Sequence, residues 1–526
     1  MSGAAATLTA PPLQSLADVL AELPPFLADL ARRGAQRWPD QTAMSEPGGA
    51  AITYGAFAAS IEAAAERLRS LGVRGGDRVM IVNENCIAAG IVFFAASALG
   101  AWPMLVNARL SAREIDTIAG HAEPRCIFFT VGLSAEARAH AGRFGAAPFD
   151  LPDAASGALA VGPLREAQPE PVAGDPVRDV AALIYTSGTT GMPKGVMLSH
   201  RACLYVASSP GAQRRPTTED LVYCTLPIAH IFGFTSTWLR GLYGGAHVLL
   251  VPRFSAEHLA DALERGVTIF QGVPQMYAKL LEYARTSGRT LKAPALRMAT
   301  VGGAPIEPDL KEAVEQALGL RLVNGWGMTE FASTVSRSLP PNTGRDISAG
   351  PVLPGIEVRI VDEQGRDRPK GEAGEIWLRG PNCMLGYYKN AEATRDVLTA
   401  DGWYKTGDLG SLGRDGALAI VDRIRDLIIV SGFNVYPAEV EAELTAHPAV
   451  TLAAVIGRRR AGNEEVIAFV QPAPGAPVSE AELAQFLKPR LAPYKQPARI
   501  VVLDQLPAAP TGKILKARLK AMAESL

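Results

Sequence analysis

The segment Ala181–His200 reads AALIYTSGTTGMPKGVMLSH. Its two ends, Ala181–Tyr185 and Val196–Leu198, are apolar runs of strand character. Between them, Thr186–Gly195 holds four hydroxyls, three glycines and one lysine. Glycines let backbone N–H groups approach anionic oxygens, and the hydroxyls and the ammonium add donors, so the segment is a candidate polyphosphate loop. Gly188 and Lys194 do not meet the Walker spacing GxxxxGK[ST]. A strand on either side leaves no helix N-terminus to hold the phosphates. Taken alone, the loop is also compatible with a plain Gly/Ser/Thr surface turn.

Outward from this loop, short strand-like runs alternate with amphipathic stretches from Leu16 to Val323. Arg78–Val82, Trp102–Leu105, Cys126–Thr130, Val248–Val251, Thr268–Phe270, Arg297–Val301 and Arg321–Val323 read as strands. Ser255–Arg265, Pro274–Ala284 and Glu307–Ala317 read as helices. This alternation predicts parallel α/β layers with sites at the strand C-termini. After Gly350 the chain turns to Gly/Pro-punctuated strands, Glu357–Val361 and Glu375–Arg379, which predict a β-rich subdomain. Leu418–Val421 and Leu427–Val430 read as paired strands. Helix Pro437–Ala446, strands Val450–Ile456 and Glu465–Val470, helix Ser479–Leu487 and strand Ala498–Leu503 follow. The expected division is a poorly ordered N-terminus 1–15, a large α/β domain 16–421, a charged hinge 422–426 and a small mobile α+β domain 427–526.

Composition bounds the function. The 526 residues carry 52 Lys+Arg against 53 Asp+Glu, a formal net charge of −1, with 48% hydrophobic and 20% charged residues. That is ordinary globular composition, without the basic excess of a nucleic-acid binder. The five cysteines (Cys86, Cys126, Cys203, Cys224, Cys383) are scattered and form no CxxC pair, which fits a reducing, cytoplasmic setting. Met1–Ala10 has no Lys or Arg, so no secretory signal is read. The longest apolar stretch, Ala88–Leu105, is broken by Gly90, Gly100 and Pro103 and reads as a buried helix and strand, not a membrane span.

Tyr185–Gly195 resembles the phosphate-loop signature of the adenylate-forming superfamily, which includes acyl-CoA synthetases, adenylation domains and luciferases. Four further segments resemble that family's motifs, in its order: GWGMTE at Gly325–Glu330, YKTGDL at Tyr404–Leu409, DRIRDLIIVSGFNVYPAEVE at Asp422–Glu441 and PTGKILK at Pro510–Lys516. The resemblance implies ATP-dependent adenylation of a carboxylic acid followed by attack of the CoA thiol, with Mg²⁺. On it, Thr186, Ser187, Gly188, Thr189, Thr190 and Lys194 hold the β- and γ-phosphates. Thr329 bonds the α-phosphate and Glu330 ligates Mg²⁺. Gly303, Ala304 and Pro305 lie along the adenine, with Asn324 at its amino edge and Gly325, Trp326 and Gly327 against it; the family more often has Tyr at position 326. Asp408 and Arg423 meet the ribose. Lys513 bridges carboxylate and α-phosphate. Arg425, where the family commonly has Asp or Lys, is the hinge about which the C-terminal domain rotates. Ser431, Gly432, Phe433 and Asn434 line the pantetheine tunnel. Arg458–Arg460, Lys488, Arg490 and Lys495 read as solvated surface cations.

Pro227–Leu239, PIAHIFGFTSTWL, resembles the family's acyl-pocket helix, with His230 as the gate between acid and thiol. Phe232, Phe234 and Ser236 then line the acyl pocket, and Gly302, Gly303, Gly325 and Gly327 leave room in it. No Asp occurs between Ala229 and Tyr243, and Arg240 is the nearby cation. The expectation is an AMP-forming acid–CoA ligase for a hydrophobic acid, aromatic or medium-chain. A dicarboxylic acid held by an arginine, or transfer to a carrier-protein thiol, are the alternatives. A homodimer is compatible with the sequence.

Overall fold

A computed structural model of the chain describes residues 15–151, 158–186, 193–208, 215–340, 342, 344–423, 426, 428–430, 433–460, 463–491, 495–509, 512 and 514–526. Its architecture is mixed α/β, with a large N-terminal part and a small C-terminal part. The first sheet of the large part has eight strands, in the order Ser333–Arg337, Leu322–Met328, Met298–Val301, Ile269–Gly272, Leu221–Cys224, His247–Leu250, Thr42–Ser45 and Ala51–Thr53. The pairs from Leu322–Met328 to Thr42–Ser45 are parallel, and each end is closed by an antiparallel strand. A second sheet orders Trp102–Asn107, Arg78–Asn83, Cys126–Phe129, Leu159–Val161 and Ala147–Phe149. Arg78–Asn83 is buried at every position, as a central parallel strand covered on both faces should be.

The helix Ile87–Ala98 is apolar all round and therefore buried all round. Phe93 and Phe94 pack edge-on against Phe57, Phe234 and Trp238, with ring centroids 5.1–5.7 Å apart. Gly90 lets this helix approach: a Cβ there would sit 3.0 Å from the Trp238 indole. All five cysteines are free, four of them buried, and burial pushes the Cys86, Cys126 and Cys224 thiols up to about 12.

The β-rich part is a four-stranded antiparallel sheet of Glu357–Val361, Gly374–Arg379, Tyr404–Leu412 and Leu418–Arg423. Here the pairing read from sequence is corrected. Leu418–Arg423 pairs with Tyr404–Leu412, whereas Ile428–Val430 pairs with Phe433–Val435. Both runs are strands, but apolar alternation states no partner, and the charged segment between them takes the chain from one sheet to the next. Beyond it, Val450–Arg460 and Asn463–Pro472 form a long hairpin with Arg499–Val502 added parallel, over helices Pro437–Thr445 and Glu480–Leu487. This part has hydrophobic clusters of its own, built on Ile428, Val440, Val455 and Leu483, and on Ile456, Phe469 and Leu519.

Candidate active site

The strands that flank the candidate phosphate loop, Val180–Thr186 and Lys194–Ser199, pair antiparallel, with Thr186 opposite Lys194. Ser187, Gly188, Thr189 and Thr190 lie outside the described residues, as do Arg425, Ser431, Gly432 and Lys513. Lys194 projects its ammonium over the Tyr387 ring, 4.8 Å from the centroid. Thr186 and Lys194 open on a single cleft of about 2440 Å³ that also takes in His230, Phe232, Ser236, Gly302–Pro305, Gly325–Glu330, Tyr387, Glu441, Gly512 and Lys516.

Two neighbouring parallel strands, Met298–Val301 and Leu322–Met328, deliver the glycines to this cleft from their C-terminal ends. Gly327 tolerates no side chain, since a Cβ there would lie 1.6 Å from the Ser333 carbonyl oxygen. Past Met328 the chain enters a single turn, Thr329–Phe331, that sets Thr329 and Glu330 on the cleft wall. The Tyr387 hydroxyl donates to Glu330 Oε1 at 2.8 Å, an orienting contact that no sequence-local signal announces. Among the described residues no group of three or more His, Cys, Asp or Glu is placed to hold a metal by itself.

Asp408 is 3% exposed and does not open directly on the cleft. Its Oδ2 accepts the Trp326 indole N–H at 3.1 Å, and its backbone stands opposite Arg423 across the strand pair. Asn324 lies beside the cleft, not on its wall, and donates through Nδ2 to the Ile347 carbonyl at 2.6 Å.

The segment expected to line the acid pocket forms the helix Phe232–Leu239, which closes hydrogen bonds five residues back, as from the Arg240 N–H to the Thr235 carbonyl. Gly233 permits its tight entry: a Cβ there would meet the Pro227 carbonyl oxygen at 2.2 Å. The wider turn puts Phe232, Ser236 and Arg240 on the cleft side. Phe234, expected in the acyl pocket, is corrected to the core: it is fully buried against Phe93 and Trp238, on the opposite face. Ser236 is fixed by Ser333 and Thr334, each hydroxyl 2.9 Å away. His230 is exposed at the cleft mouth, its Nδ1 accepting the Phe232 N–H at 3.3 Å.

The small C-terminal part reaches the same cleft. Gly512, in the left-handed region at φ +82, lies against Val273 and Gln275 of the large part. Lys516 pairs with Glu441 at 2.8 Å on the cleft wall. Of the cations read as solvated, Arg490 is exposed, whereas Arg458 and Lys495 are corrected to largely buried side chains; the three pair with Glu443, Glu465 and Glu439 respectively.

A fold of this kind, with the loop hairpin and the strand-end motifs on one cleft, defines a nucleotide-using enzyme. The AMP-binding enzyme family matches residues 31–388 and its C-terminal domain residues 439–513, and the chain belongs to this family as an AMP-forming acyl-CoA synthetase. It is similar to 4-coumarate–CoA ligase CCL1 of Humulus lupulus, 31% identical over 490 residues, 90% of this chain and 89% of the relative. Similarity to the feruloyl-CoA synthase of Amycolatopsis sp is 35% over 502 residues, 93% and 99% of the two chains. Among solved structures, ATP-bound MatB from Rhodopseudomonas palustris superposes with a TM-score of 0.80 at 30% identity, covering 94% of this chain and 99% of that one. No helix among the described residues is long and apolar enough to cross a membrane.

Proposed function

We propose that this cleft activates a carboxylic acid with an apolar body, aromatic or medium-chain, and hands the acyl group to the thiol of CoA. The observation that carries the reading is the meeting, on one cleft, of Thr186, Lys194, Thr329 and Glu330 from the large part with Gly512 and Lys516 from the small part. A carboxylate is a poor electrophile. In the first step its oxygen attacks the α-phosphorus of ATP, the bond to pyrophosphate breaks, and an acyl-adenylate forms. In the second, the sulfur attacks the acyl carbon, AMP leaves and the thiol proton passes to solvent. Both partners of the first step are anionic, so positioning and positive charge supply the catalysis.

In this reading Thr186, Ser187, Gly188, Thr189, Thr190 and Lys194 bind the β- and γ-phosphates, and Thr329 bonds the α-phosphate. Gly303, Ala304, Pro305, Asn324 and Trp326 frame the adenine. Asp408 and Arg423 take the ribose, with the indole of Trp326 orienting Asp408. Glu330, a single carboxylate oriented by the Tyr387 hydroxyl, would hold Mg²⁺, and the ion when bound would neutralise phosphate charge. His230 gates the acid pocket formed by Phe232, Ser236 and Gly302. Residues 16–421 form the nucleotide-binding unit. Rotation of 427–526 about Arg425 then brings Ser431, Gly432, Phe433 and Asn434 to the pantetheine path. Free cysteines suit a reducing compartment, and we place the reaction in the cytoplasm.

The test is pyrophosphate release across aliphatic and aromatic acids, with and without CoA, in wild type and Lys513→Ala. The expected result is release of pyrophosphate, not orthophosphate, in wild type. Lys513→Ala should lose roughly 10²–10³ in adenylation, yet convert acyl-adenylate supplied ready-made. Equal loss in both half-reactions would reject the role of Lys513, and ADP as product would reject the reading.

A further inference from the structure

Arg240 lines the cleft on the helix face that carries Phe232 and Ser236, the residues proposed for the acid pocket. It lines the cleft yet is only 8% exposed. A guanidinium brings five N–H donors and no acceptor. Its Nη2 donates to the Met298 thioether at 3.5 Å, a weak acceptor, and its Nε has no partner among the described residues.

The carboxylate that acts on it, Asp220, is already occupied. Arg297 Nε and Thr268 Oγ1 donate to Asp220 Oδ1, each at 2.7 Å, and the Thr217 N–H donates to Oδ2 at 2.7 Å. Burial would raise Asp220, but these donors together hold it below the usual carboxylate range, fully ionised and committed to Arg297. Arg337, Arg297 and Arg215 add like charge around Arg240. Burial first, then repulsion from Arg337 and Arg297, bring its guanidinium down to about 9, still protonated at neutral pH. A buried cation of this kind is destabilising unless an anion meets it. Nε is sealed inside the protein, but Arg240 lines the cleft into which the acid would extend, and none of its described contacts is a hydrogen bond to a carboxylate.

We propose that the acid activated here carries a second carboxylate, at the end of its apolar body remote from the group that is adenylated, and that Arg240 receives it. The inference rests on the acid–CoA ligase reading for the cleft and names the substrate class within it. Guanidinium and carboxylate match as planar, paired donors and acceptors, which is why arginine serves this purpose.

The test measures binding by calorimetry, with a non-hydrolysable ATP analogue present, for two matched sets. One is 3-phenylpropanoic acid with carboxyl, hydroxyl or methyl at the para position; the other is octanedioic against octanoic acid. In wild type the dicarboxylic member of at least one set should bind tenfold or more tighter than its methyl-ended partner. Arg240→Met should erase that preference, and Arg240→Lys should keep part of it. Wild-type protein that binds the methyl- or hydroxyl-ended acids as tightly as the dicarboxylic ones in both sets overturns the proposal, and this comparison needs no variant to fold. Pyrophosphate exchange, run with ATP in place of the analogue on the same proteins and acids, separates the two readings. A dicarboxylate preference without exchange would refute adenylation and leave Arg240's role standing.

Discussion

Trp326 stands where the resemblance expects tyrosine, and its indole has a specific use. A Tyr hydroxyl both donates and accepts; the indole Nε1 only donates, and here it donates to Asp408 Oδ2 at 3.1 Å. A hydrogen bond to a charged acceptor contributes about 1.5–3 kcal/mol. Trp326→Phe keeps an aromatic face and removes that donor. AMP affinity measured by calorimetry should therefore fall roughly tenfold with the acid's KM unmoved; unchanged AMP affinity would leave the indole a packing group. Tyr387 is the parallel case for Glu330. Losing an outer partner of a metal ligand typically costs 10–100-fold in metal affinity. Tyr387→Phe should raise the Mg²⁺ concentration for half-maximal pyrophosphate exchange roughly tenfold, and an unshifted Mg²⁺ titration would dismiss Tyr387 as an orienting group. These residues also show what a sequence displays. Glu330 and Asp408 sit in short local motifs. Tyr387 acts across a separation of 57 residues, and its own neighbourhood says nothing of Glu330.

Between elements, the alternation of periods identified most strands and helices to within a few residues, because the core needs apolar faces at those spacings. What it did not convey was partnership and pitch. The pairing of Leu418–Arg423 depends on a sheet assembled from residues far upstream. The placement of Phe234 depends on a turn wider than 3.6 residues, which throws that ring to the core and Arg240 to the cleft. His200 shows a tie between elements with a pH signature. It opens the helix His200–Ala207, and its Nδ1 accepts the N–H of Leu27, the first residue of the helix Leu27–Arg37, at 3.1 Å. Burial, against the pull of Asp179 and Asp29, holds this imidazole down to about 4. The folded value lies below the unfolded one of about 6.5. Above pH 6.5 both states are neutral and nothing is lost. As pH falls from 6.5 toward 4, the unfolded chain takes up a proton that the folded chain refuses, and stability drops by roughly 3 kcal/mol. His200→Gln should melt lower than wild type at pH 7.5, with the gap narrowing by pH 4.5. A gap that stays constant across the thermal midpoints would contradict a neutral, buried His200.

At the scale of the molecule, the C-terminal part has its own hydrophobic clusters and meets the large part across the cleft, which makes relative movement the expected mode of action. The described arrangement has Gly512 resting on Val273 and Gln275, near Gly303, whose own added Cβ would lie 3.5 Å from Val273. This is the side of the cleft proposed for the nucleotide, and on that proposal the arrangement is the one for adenylation. Gly512 is suited to it twice over. Its φ of +82 is open to glycine, and a Cβ would come within 2.8 Å of Gln275 Oε1 and 3.3 Å of Val273 Cγ2. The Gln275 amide is the end of a flexible side chain and can turn away; the backbone angle cannot be relieved so simply. A β-branched residue held there costs on the order of 1–3 kcal/mol. That cost falls on the docked arrangement alone if Gly512 leaves Val273 and Gln275 when the domain rotates, so it shifts the population against docking by roughly fivefold or more. Gly512→Val should then slow acyl-adenylate formation by at least that factor, while thioester formation from supplied acyl-adenylate and CoA proceeds at the wild-type rate. Stopped-flow measurement of the two half-reactions decides the matter. If both slow equally, Gly512 serves folding in general, and its contact with Val273 and Gln275 has no privileged link to the first step.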